Sequence, residues 1–324
     1  MQQPQCADAV LMVRPAAFDY NPETAASNRM QKRSAPGASE SSAPSVGDRA
    51  RAELEQVAHA LRAEGIRVCV AEDTADPPKP DAVFPNNWVS FHADGTVVLY
   101  PMHAPSRRRE RRREIIDQAA EELGYRIRRT LDLTHHEAAG RYLEGTGSLV
   151  LDHAGRIAYA CRSSRTDEDV LEEWCRAMQY EPMPFAACDR TGAPLYHTNI
   201  MLGIGARLAI VAADAIAPED RRRVMSRLEA SGRELIEIGQ DGIERFAGNV
   251  LELASCRESR SRSEPPGDRR VLVLSRTARE ALDAPAFARL AACTDAVLTV
   301  EIPTIEQLGG GGVRCMLAEV FSPS

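Results

Sequence analysis

The sequence repeats one pattern four times, and this repeat restricts the possible folds more than any other feature. The copies begin at residues 84, 142, 196 and 246 with FPNNWVSF, YLEGTGSL, YHTNIMLG and FAGNVLEL. Each copy starts with a polar turn and continues through two short apolar strands, a helical stretch and a third strand. Such a repeat predicts an α/β protein built from ββαβ modules.

A fifth copy is divided between the two ends of the chain. GGGGVRCMLAEVF (309–321) gives its first part, and AVLMVRPAAF (9–18) with the helical stretch RARAELEQVAHALRAEG gives the rest. Joining both ends in one module would close a ring and remove exposed sheet edges. We therefore expect a single domain over residues 1–324. Two stretches rich in small and polar residues, at about 31–47 and 257–269, are expected to be mobile loops within it.

Composition favours a small-molecule enzyme over a nucleic-acid binder. The net charge is -7, and 44% of the 324 residues are hydrophobic, enough for a large core. The first residues lack a basic n-region and no stretch reaches the roughly 20 apolar residues of a membrane span, which predicts a soluble cytoplasmic protein. The eight cysteines form no CxxC pair, so reduced thiols are expected. The sequence leaves the oligomeric state open, a homo-oligomer included.

The polar turns that begin the modules carry the residues that could take part in catalysis or binding. Equivalent turns of a ring meet near its axis, so residues far apart in sequence should converge there. They are Asn86 and Asn87, Glu144, His197 and Asn199, Asn249, and Cys315. A cysteine, a histidine and a carboxylate in one pocket suit nucleophilic attack with proton transfer.

These motifs resemble a known family. Together they are similar to the motifs of the arginine deiminase-like, or pentein, superfamily. The matching motifs are GGGGVRCM with Cys315, EGTGS with Glu144, YHTN with His197, the MVRP start and FPNNW. The resemblance covers nearly the whole chain. It implies a five-bladed α/β propeller without metal or cofactor, and a cysteine thiolate that forms a covalent intermediate.

Two departures from that family point to the substrate. Deiminases usually carry aspartates where this chain has Asn87 and Asn199, and those aspartates clamp a cationic guanidinium. Two asparagines remove about two negative charges from a site where an unpaired cation costs several kcal/mol. An amide can donate to a carbonyl oxygen, so a neutral ureido substrate such as citrulline is expected, as in the similar citrulline-utilisation hydrolases.

The resemblance also implies a role for each residue. Cys315 attacks the ureido carbon, His197 protonates the leaving amine and then activates water, and Glu144 binds the substrate nitrogens or orients His197. From the two departures, and not from the resemblance, Asn87 and Asn199 are expected to position the ureido group, with Asn86 as a further candidate. The products would be ornithine, ammonia and carbon dioxide.

Other functions remain open from sequence alone. They are an arginine or guanidino deiminase or dihydrolase, an amidinotransferase, and a non-catalytic binding propeller. An arginine should hold the substrate carboxylate, with Arg14, Arg162 and Arg165 as unranked candidates. The run RRRERRRE (107–114) is expected to be a solvated helix face, and His135 and His136 a solvated loop without a third metal ligand.

Overall fold

A computed structural model describes residues 4–33, 44–256 and 269–321 of the chain. The fold is mixed α/β. Its strands are β1 Ala9–Arg14, β2 Arg67–Glu72, β3 Val89–Phe91, β4 Thr96–Leu99, β5 Arg129–Asp132, β6 Leu149–Asp152, β7 Ile157–Cys161, β8 Glu181–Phe185, β9 Leu202–Ile204, β10 Leu208–Val211, β11 Glu234–Glu237, β12 Leu251–Ala254, β13 Arg270–Ser275, β14 Ala296–Val300 and β15 Ala318–Val320.

Helices join the strands and cover the sheets. They are α1 Pro22–Ala25, α2 Val46–Ala63, α3 Pro105–Arg108, α4 Arg113–Glu122, α5 Gly145–Ser148, α6 Glu168–Met178, α7 Pro218–Ala230, α8 Gln240–Glu244, α9 Arg276–Ala281 and α10 Ala284–Ala292. Short 3-10 turns at Pro85–Asn87, Thr198–Ile200 and Val313–Met316 lie directly before β3, β9 and β15.

Three of the repeats form separate three-stranded sheets with one topology. In each, the first two strands pair antiparallel, and the second and third pair parallel across one helix or, between β13 and β14, two helices. The sheets are β6-β7-β8, β9-β10-β11 and β12-β13-β14. The pairing is that of the ββαβ module predicted from the repeat.

The remaining sheet has six strands in the order β2-β1-β15-β3-β4-β5. Half of it is the first repeat, and the other half combines the two ends of the chain. Ala9 of β1 pairs with Val320 of β15, and β1 runs parallel to β2 across α2. One register pair, Val320 with Phe91, joins the halves. Within the described ranges the four sheets remain separate, and none of them closes on itself.

Helix α2 shows how the sequence encodes these modules. Ser45 caps its N-terminus and forms a reciprocal capping box with Asp48. Leu54, Val57 and Leu61, spaced at three and four residues, are buried against β1 and the sheet of β12–β14. No helix in the described segments has both the length and the hydrophobicity needed to cross a membrane.

Most of each predicted mobile loop lies beyond what the structure describes, but the described ends of these stretches are ordered. Residues 34–43 and 257–268 lie outside the described residues, so the prediction stands untested there. The flanks are ordered: Gln31 is buried and donates to the Gly309 carbonyl at 3.0 Å, and α2 already begins at Val46. Arg269 donates to Glu64 at 2.6 Å.

The run RRRERRRE is not one solvated helix face, and that prediction was wrong. Helix α3 ends at Arg108 and α4 starts at Arg113, so a turn interrupts the run. This turn directs Arg107 and Glu110 inward, where they are 2% and 3% exposed and paired at 2.9 Å. Each buried charge thus has an oppositely charged partner, which it needs away from water.

A buried ion pair between two modules gives a test of the fold. Arg233, before β11, makes two bonds of 2.8 and 2.9 Å to Asp152 at the end of β6, and both side chains are buried. Arg233→Ala should lower the free energy of unfolding in urea by about 3 kcal/mol, because it leaves a buried carboxylate uncompensated. Arg207→Ala, which removes an exposed pair with Asp295, is the matched control, with an expected loss under about 1 kcal/mol. Equal losses for the two variants would contradict this assignment.

Candidate active site

The turns that begin the modules bring the predicted residues to one buried region. Cys315 lies in the 3-10 turn before β15, His197 directly before the turn that leads to β9, and Glu144 directly before α5 and β6. They are 4%, 3% and 0% exposed. A pocket next to them is lined by Asn87, His197 and Cys315, and also by Asp81, Phe84, Arg107, Arg165, Tyr196 and Gly309–Gly311.

Cys315 is held by two asparagine amides. Asn249 Nδ2 donates to Cys315 Sγ at 3.3 Å, and Asn199 Nδ2 lies 3.6 Å from the same sulfur. Asn249 Oδ1 accepts from the backbone N–H of Arg314 at 3.0 Å, which fixes its orientation. The sequence alone assigns no role to Asn249, although it occupies an equivalent module turn.

Glycines allow the backbone to approach these side chains. A Cβ at Gly147 would lie 2.5 Å from Asn87 Nδ2 and 2.7 Å from His197 Nδ1. Gly310 adopts φ +63°, and a Cβ there would lie 2.7 Å from Asn28 Nδ2. The EGTG and GGGG motifs are thus required by the packing of the site.

Glu144 connects His197 to Arg165. Its Oε2 accepts from His197 Nε2 at 2.8 Å and from Arg165 Nη1 at 3.2 Å, and its Oε1 accepts from the His103 backbone N–H at 3.0 Å. Because the carboxylate only accepts, His197 carries its proton on Nε2. With the proton on Nε2, the lone pair of His197 lies on Nδ1, which can accept a proton.

Burial and charge set the ionisation of these groups. Burial alone raises the pKa of Glu144, but the guanidinium of Arg165 and the hydrogen bond from His197 bring that pKa well below its usual range. Burial lowers the pKa of His197 to about 4, against the opposing effect of Glu144. Burial raises the pKa of the Cys315 thiol, and the amides of Asn249 and Asn199 offset part of this rise. At neutral pH the resting site holds a carboxylate, a neutral imidazole and a thiol.

Arg107 orients Asn87. Arg107 Nη1 donates to Asn87 Oδ1 at 2.7 Å, and its Nε and Nη2 bind the Glu110 carboxylate. A guanidinium cannot accept, so the amide orientation of Asn87 is determined. Asn87 Nδ2 is buried and, among the residues described, has no partner.

Asn86 lies behind this turn and not in the pocket. Its Nδ2 is 3.3 Å from Thr146 Oγ1, and its backbone carbonyl would contact a Cβ at Gly145 at 2.2 Å. Asn86 therefore packs the Pro85–Asn87 turn against α5, while its neighbour Asn87 faces the pocket.

Asp81 is a pocket residue that the sequence analysis missed. Its Oδ2 accepts from Asn21 Nδ2 at 2.7 Å and Thr24 Oγ1 at 3.0 Å. Its Oδ1 is buried and has no hydrogen-bond partner in the described segments. Asp81 begins the DAVFPNN stretch, before the first repeat, so the repeat gave no signal for it.

Of the three arginines considered for a carboxylate, only Arg165 lines the pocket. Arg14 pairs with Glu55 and Glu72, and Arg162 pairs with Glu168 and Asp220. Arg165 is 2% exposed, lies 5.0 Å from the centre of the Tyr196 ring, and donates to Ser27 and to the Thr24 carbonyl. Arg107 is a second arginine that lines the pocket. The sequence does not single it out, because it belongs to the charged run RRRERRRE.

His135 and His136 acquire a partner that the sequence did not suggest. His136 Nε2 lies 2.8 Å from Glu173 Oε2. His135, His136 and Glu173 each offer one potential metal-ligand atom, and these three atoms lie within 4.8 Å of one another. The adjacent Glu137 instead binds Arg108 and Arg111. The group lies outside the pocket lining.

Comparison with known proteins identifies the family. Residues 14–322 match the family model described as N,N dimethylarginine dimethylhydrolase, eukaryotic. The chain belongs to this family. The match confirms the resemblance to the pentein superfamily of arginine-modifying hydrolases. No curated protein matches the sequence.

Solved structures share the fold of this dimethylarginine dimethylhydrolase family member. The N-terminal domain of ArgZ, an arginine dihydrolase from the ornithine-ammonia cycle in cyanobacteria, was solved with its substrate; it is 16% identical, with a TM-score of 0.70 over 97% of this chain and 98% of that chain. AgrE in complex with L-arginine is 18% identical, with a TM-score of 0.69 over 97% of this chain and 40% of that one.

A dimethylarginine dimethylaminohydrolase carrying an S-methyl-L-thiocitrulline adduct is 16% identical, with a TM-score of 0.60 over 97% and 99% of the two chains. At these identities the likeness establishes the fold alone.

The raised pKa of Cys315 predicts how its reactivity depends on pH. With no substrate bound, iodoacetamide should inactivate the enzyme slowly at pH 7, because only the thiolate reacts. The rate should still rise with pH above about 8.5, the ordinary cysteine pKa. Cys315→Ala should have no activity and should lose one site of labelling in peptide mass spectra. A rate that levels off below pH 8 would contradict the prediction.

Proposed function

We propose that the protein hydrolyses citrulline or a closely related ureido amino acid. The observation that carries the proposal is the orientation of Asn87. Arg107 occupies its amide oxygen at 2.7 Å, so Nδ2, which has no partner among the described residues, is left for the ligand. A ureido carbonyl oxygen accepts such a bond, whereas a guanidinium carbon bears only donors.

The charge around Asn87 supports a neutral group. Arg107 and Arg165 both line the pocket, and the carboxylate of Glu144 is already bound to Arg165 and His197. Burial raises the pKa of Glu110 to about 7 against the effect of Arg107, so this acid supplies less than a full negative charge. Among the described residues that line the pocket, Asp81 is the one carboxylate. A guanidinium that does not reach Asp81 would lie near Arg107 and Arg165 with little negative charge to balance it.

The amino-acid end of the substrate also has partners in the pocket. The unpartnered Oδ1 of Asp81, within the described residues, suits an α-ammonium group, and the guanidinium of Arg165 suits an α-carboxylate. Arg165 now donates to Ser27 and the Thr24 carbonyl, so a bound carboxylate would replace these bonds.

In the first step the Cys315 sulfur attacks the ureido carbon and its proton is taken up at His197 Nδ1. His197 then protonates the side-chain nitrogen as the C–N bond breaks, releasing ornithine and leaving an S-carbamoyl cysteine. Glu144 stabilises the imidazolium that forms between these events, since its Oε2 already binds His197 Nε2.

In the second step His197 Nδ1 takes a proton from water, which attacks the S-carbamoyl carbon. The C–S bond breaks, the thiol returns, and carbamate leaves and decomposes to ammonia and carbon dioxide. The amides of Asn199 and Asn249 donate to the sulfur whenever it carries negative charge. An aspartate at position 199 would repel that charge, so this asparagine serves the thiolate more than the ureido group.

Hydrolysis of arginine or another guanidino compound is the second candidate. The names of the similar solved proteins, an arginine dihydrolase and a dimethylarginine dimethylaminohydrolase, favour it. An amidinotransferase would share the covalent intermediate and differ only in the acceptor. A binding propeller has less support, because it needs no Cys315, His197 and Glu144 set.

The module topology further supports a five-bladed propeller with the active site on its axis. The three separate sheets and the two halves of the six-stranded sheet are five equivalent units. We propose that they form a ring closed by the pairing of β1 with β15.

The substrate proposal predicts a strong preference for citrulline. The purified enzyme should show kcat/KM for citrulline at least about 10²-fold above that for arginine, because a site arranged for one polar group rejects the other. Ammonia and ornithine release with citrulline, arginine, agmatine and dimethylarginine side by side would measure this. A preference for arginine would overturn the asparagine argument.

Changing Asn87 and Asn199 together to Asp should lower kcat/KM for citrulline and move the preference toward arginine. The change of preference should come from Asn87, which lines the pocket, while an aspartate at position 199 should slow both substrates through its contact with Cys315. Asn86→Asp is a matched control, because Asn86 adjoins Asn87 but does not line the pocket. It should leave the citrulline-to-arginine ratio within about threefold of wild type. Comparing the double variant with Asn86→Asp distinguishes a change in the substrate pocket from a general effect of added negative charge near it.

Asp81 should hold the α-ammonium group. Asp81→Asn is expected to raise KM for citrulline about tenfold or more with little change in kcat, since a charged hydrogen bond contributes about 1.5–3 kcal/mol. Butylurea lacks the α-ammonium, so wild type and variant should hydrolyse it at similar low efficiency. An equal loss with both compounds would show that Asp81 only supports the fold.

A further inference from the structure

A buried ion pair joins the residue before Cys315 to a residue four positions after it, and it lies outside the catalytic pocket. Arg314 Nη2 binds Glu319 Oε2 at 2.7 Å, and the two side chains are 9% and 11% exposed. They line a separate cavity together with Gln5 and His153. The mechanism above uses neither residue, although burying such a pair is costly unless it serves the surrounding structure.

The pair closes the turn that carries Cys315. Arg314 Nη1 also donates to the Leu317 carbonyl at 2.9 Å, so one side chain spans the turn from Val313 to the start of β15. The backbone N–H of Arg314 donates to Asn249 Oδ1, and Asn249 Nδ2 donates to Cys315 Sγ. Arg314 is therefore joined to the sulfur through one amide as well as through the backbone.

We infer that Arg314 is a positioning residue for the nucleophile: its pair with Glu319 fixes the turn of Cys315 and places a positive charge behind the sulfur that favours the thiolate. The inference rests on the proposed role of Cys315. The charge has the right sign, since Arg314 lowers the pKa of Cys315 against the larger rise caused by burial. Glu319 restrains this effect because its own charge opposes thiolate formation.

Several other charged or titratable groups face the two sites, and the test leaves them unchanged. Near Cys315 they are His197, Arg107, Arg165, Asp81 and Tyr196. Near the ion pair they are His153, Tyr180 and Cys6, on three other segments. The pKa of His153 is lowered to about 3, mainly by burial, so it stays neutral over the range of the titration.

The test is a pH titration of the Cys315 thiolate, followed by ultraviolet absorbance without substrate. The same titration of Cys315→Ala, made in each variant, is subtracted to remove the absorbance of the other seven cysteines. Arg314→Met should move the midpoint up, and Glu319→Gln should move it down while its amide oxygen still accepts from Arg314. Each shift should be about half a pH unit or more, a threefold change in thiolate fraction. The double variant should lie between the two.

Arg314→Lys separates charge from geometry. It keeps the positive charge but not the two directed bonds, so the midpoint should stay near wild type while kcat falls about tenfold or more. Arg245→Met and Glu280→Gln, which alter an exposed pair, should change neither quantity.

Opposite shifts in the two single variants support the inference, because mere loosening of the turn moves both midpoints in the same direction. Shifts of one sign, or none, would overturn it. If Arg314→Met does not fold, Glu319→Gln decides by its downward shift or its absence. The titration needs no substrate, so it stands even if citrulline is not hydrolysed. Failure of the proposed function would appear only in the turnover assays.

Discussion

The buried carboxylate of Glu144 is the constraint on which the site depends. A fully buried charge is tolerated only when it is paired and hydrogen-bonded, and Glu144 meets this need with Arg165, His197 and the backbone of His103. Arg165 in turn is held by Ser27 and Thr24, in the segment that borders the pocket. One charge thus aligns the histidine, fixes its tautomer and ties the N-terminal segment to the second module.

The repeat explains why much of this could be predicted from sequence. Equivalent turns of equivalent modules must occupy equivalent places, so Cys315, His197, Glu144 and Asn87 could be grouped without any contact information. The same reasoning placed Asn249 in this group, but only its bond to Cys315 shows which residue it contacts.

The remainder depends on tertiary structure. Arg107 and Glu110 lie in a run of charges with no apolar periodicity, and only the break between α3 and α4 turns them inward. Asp81 precedes the repeat and has no counterpart to compare. The sequence predicts that an arginine binds the substrate carboxylate, but it does not distinguish Arg165 from Arg14 and Arg162. Only the structure shows that the last two are paired with acidic residues elsewhere.

The resting site avoids charge at the two groups that react in the proposed mechanism. A thiolate and an imidazolium would each lose solvation in this pocket, and burial accordingly raises the pKa of Cys315 and lowers that of His197 to about 4. The neutral pair is therefore the stable state until a ligand fills the pocket and supplies a carbon for the sulfur to attack. In the proposed mechanism, forming the C–S bond removes the cost of a desolvated thiolate, and Glu144 already lies where it can stabilise the imidazolium. Reactivity then depends on the substrate, and a thiol that is neutral when the pocket is empty is a poor target for oxidants and alkylating agents.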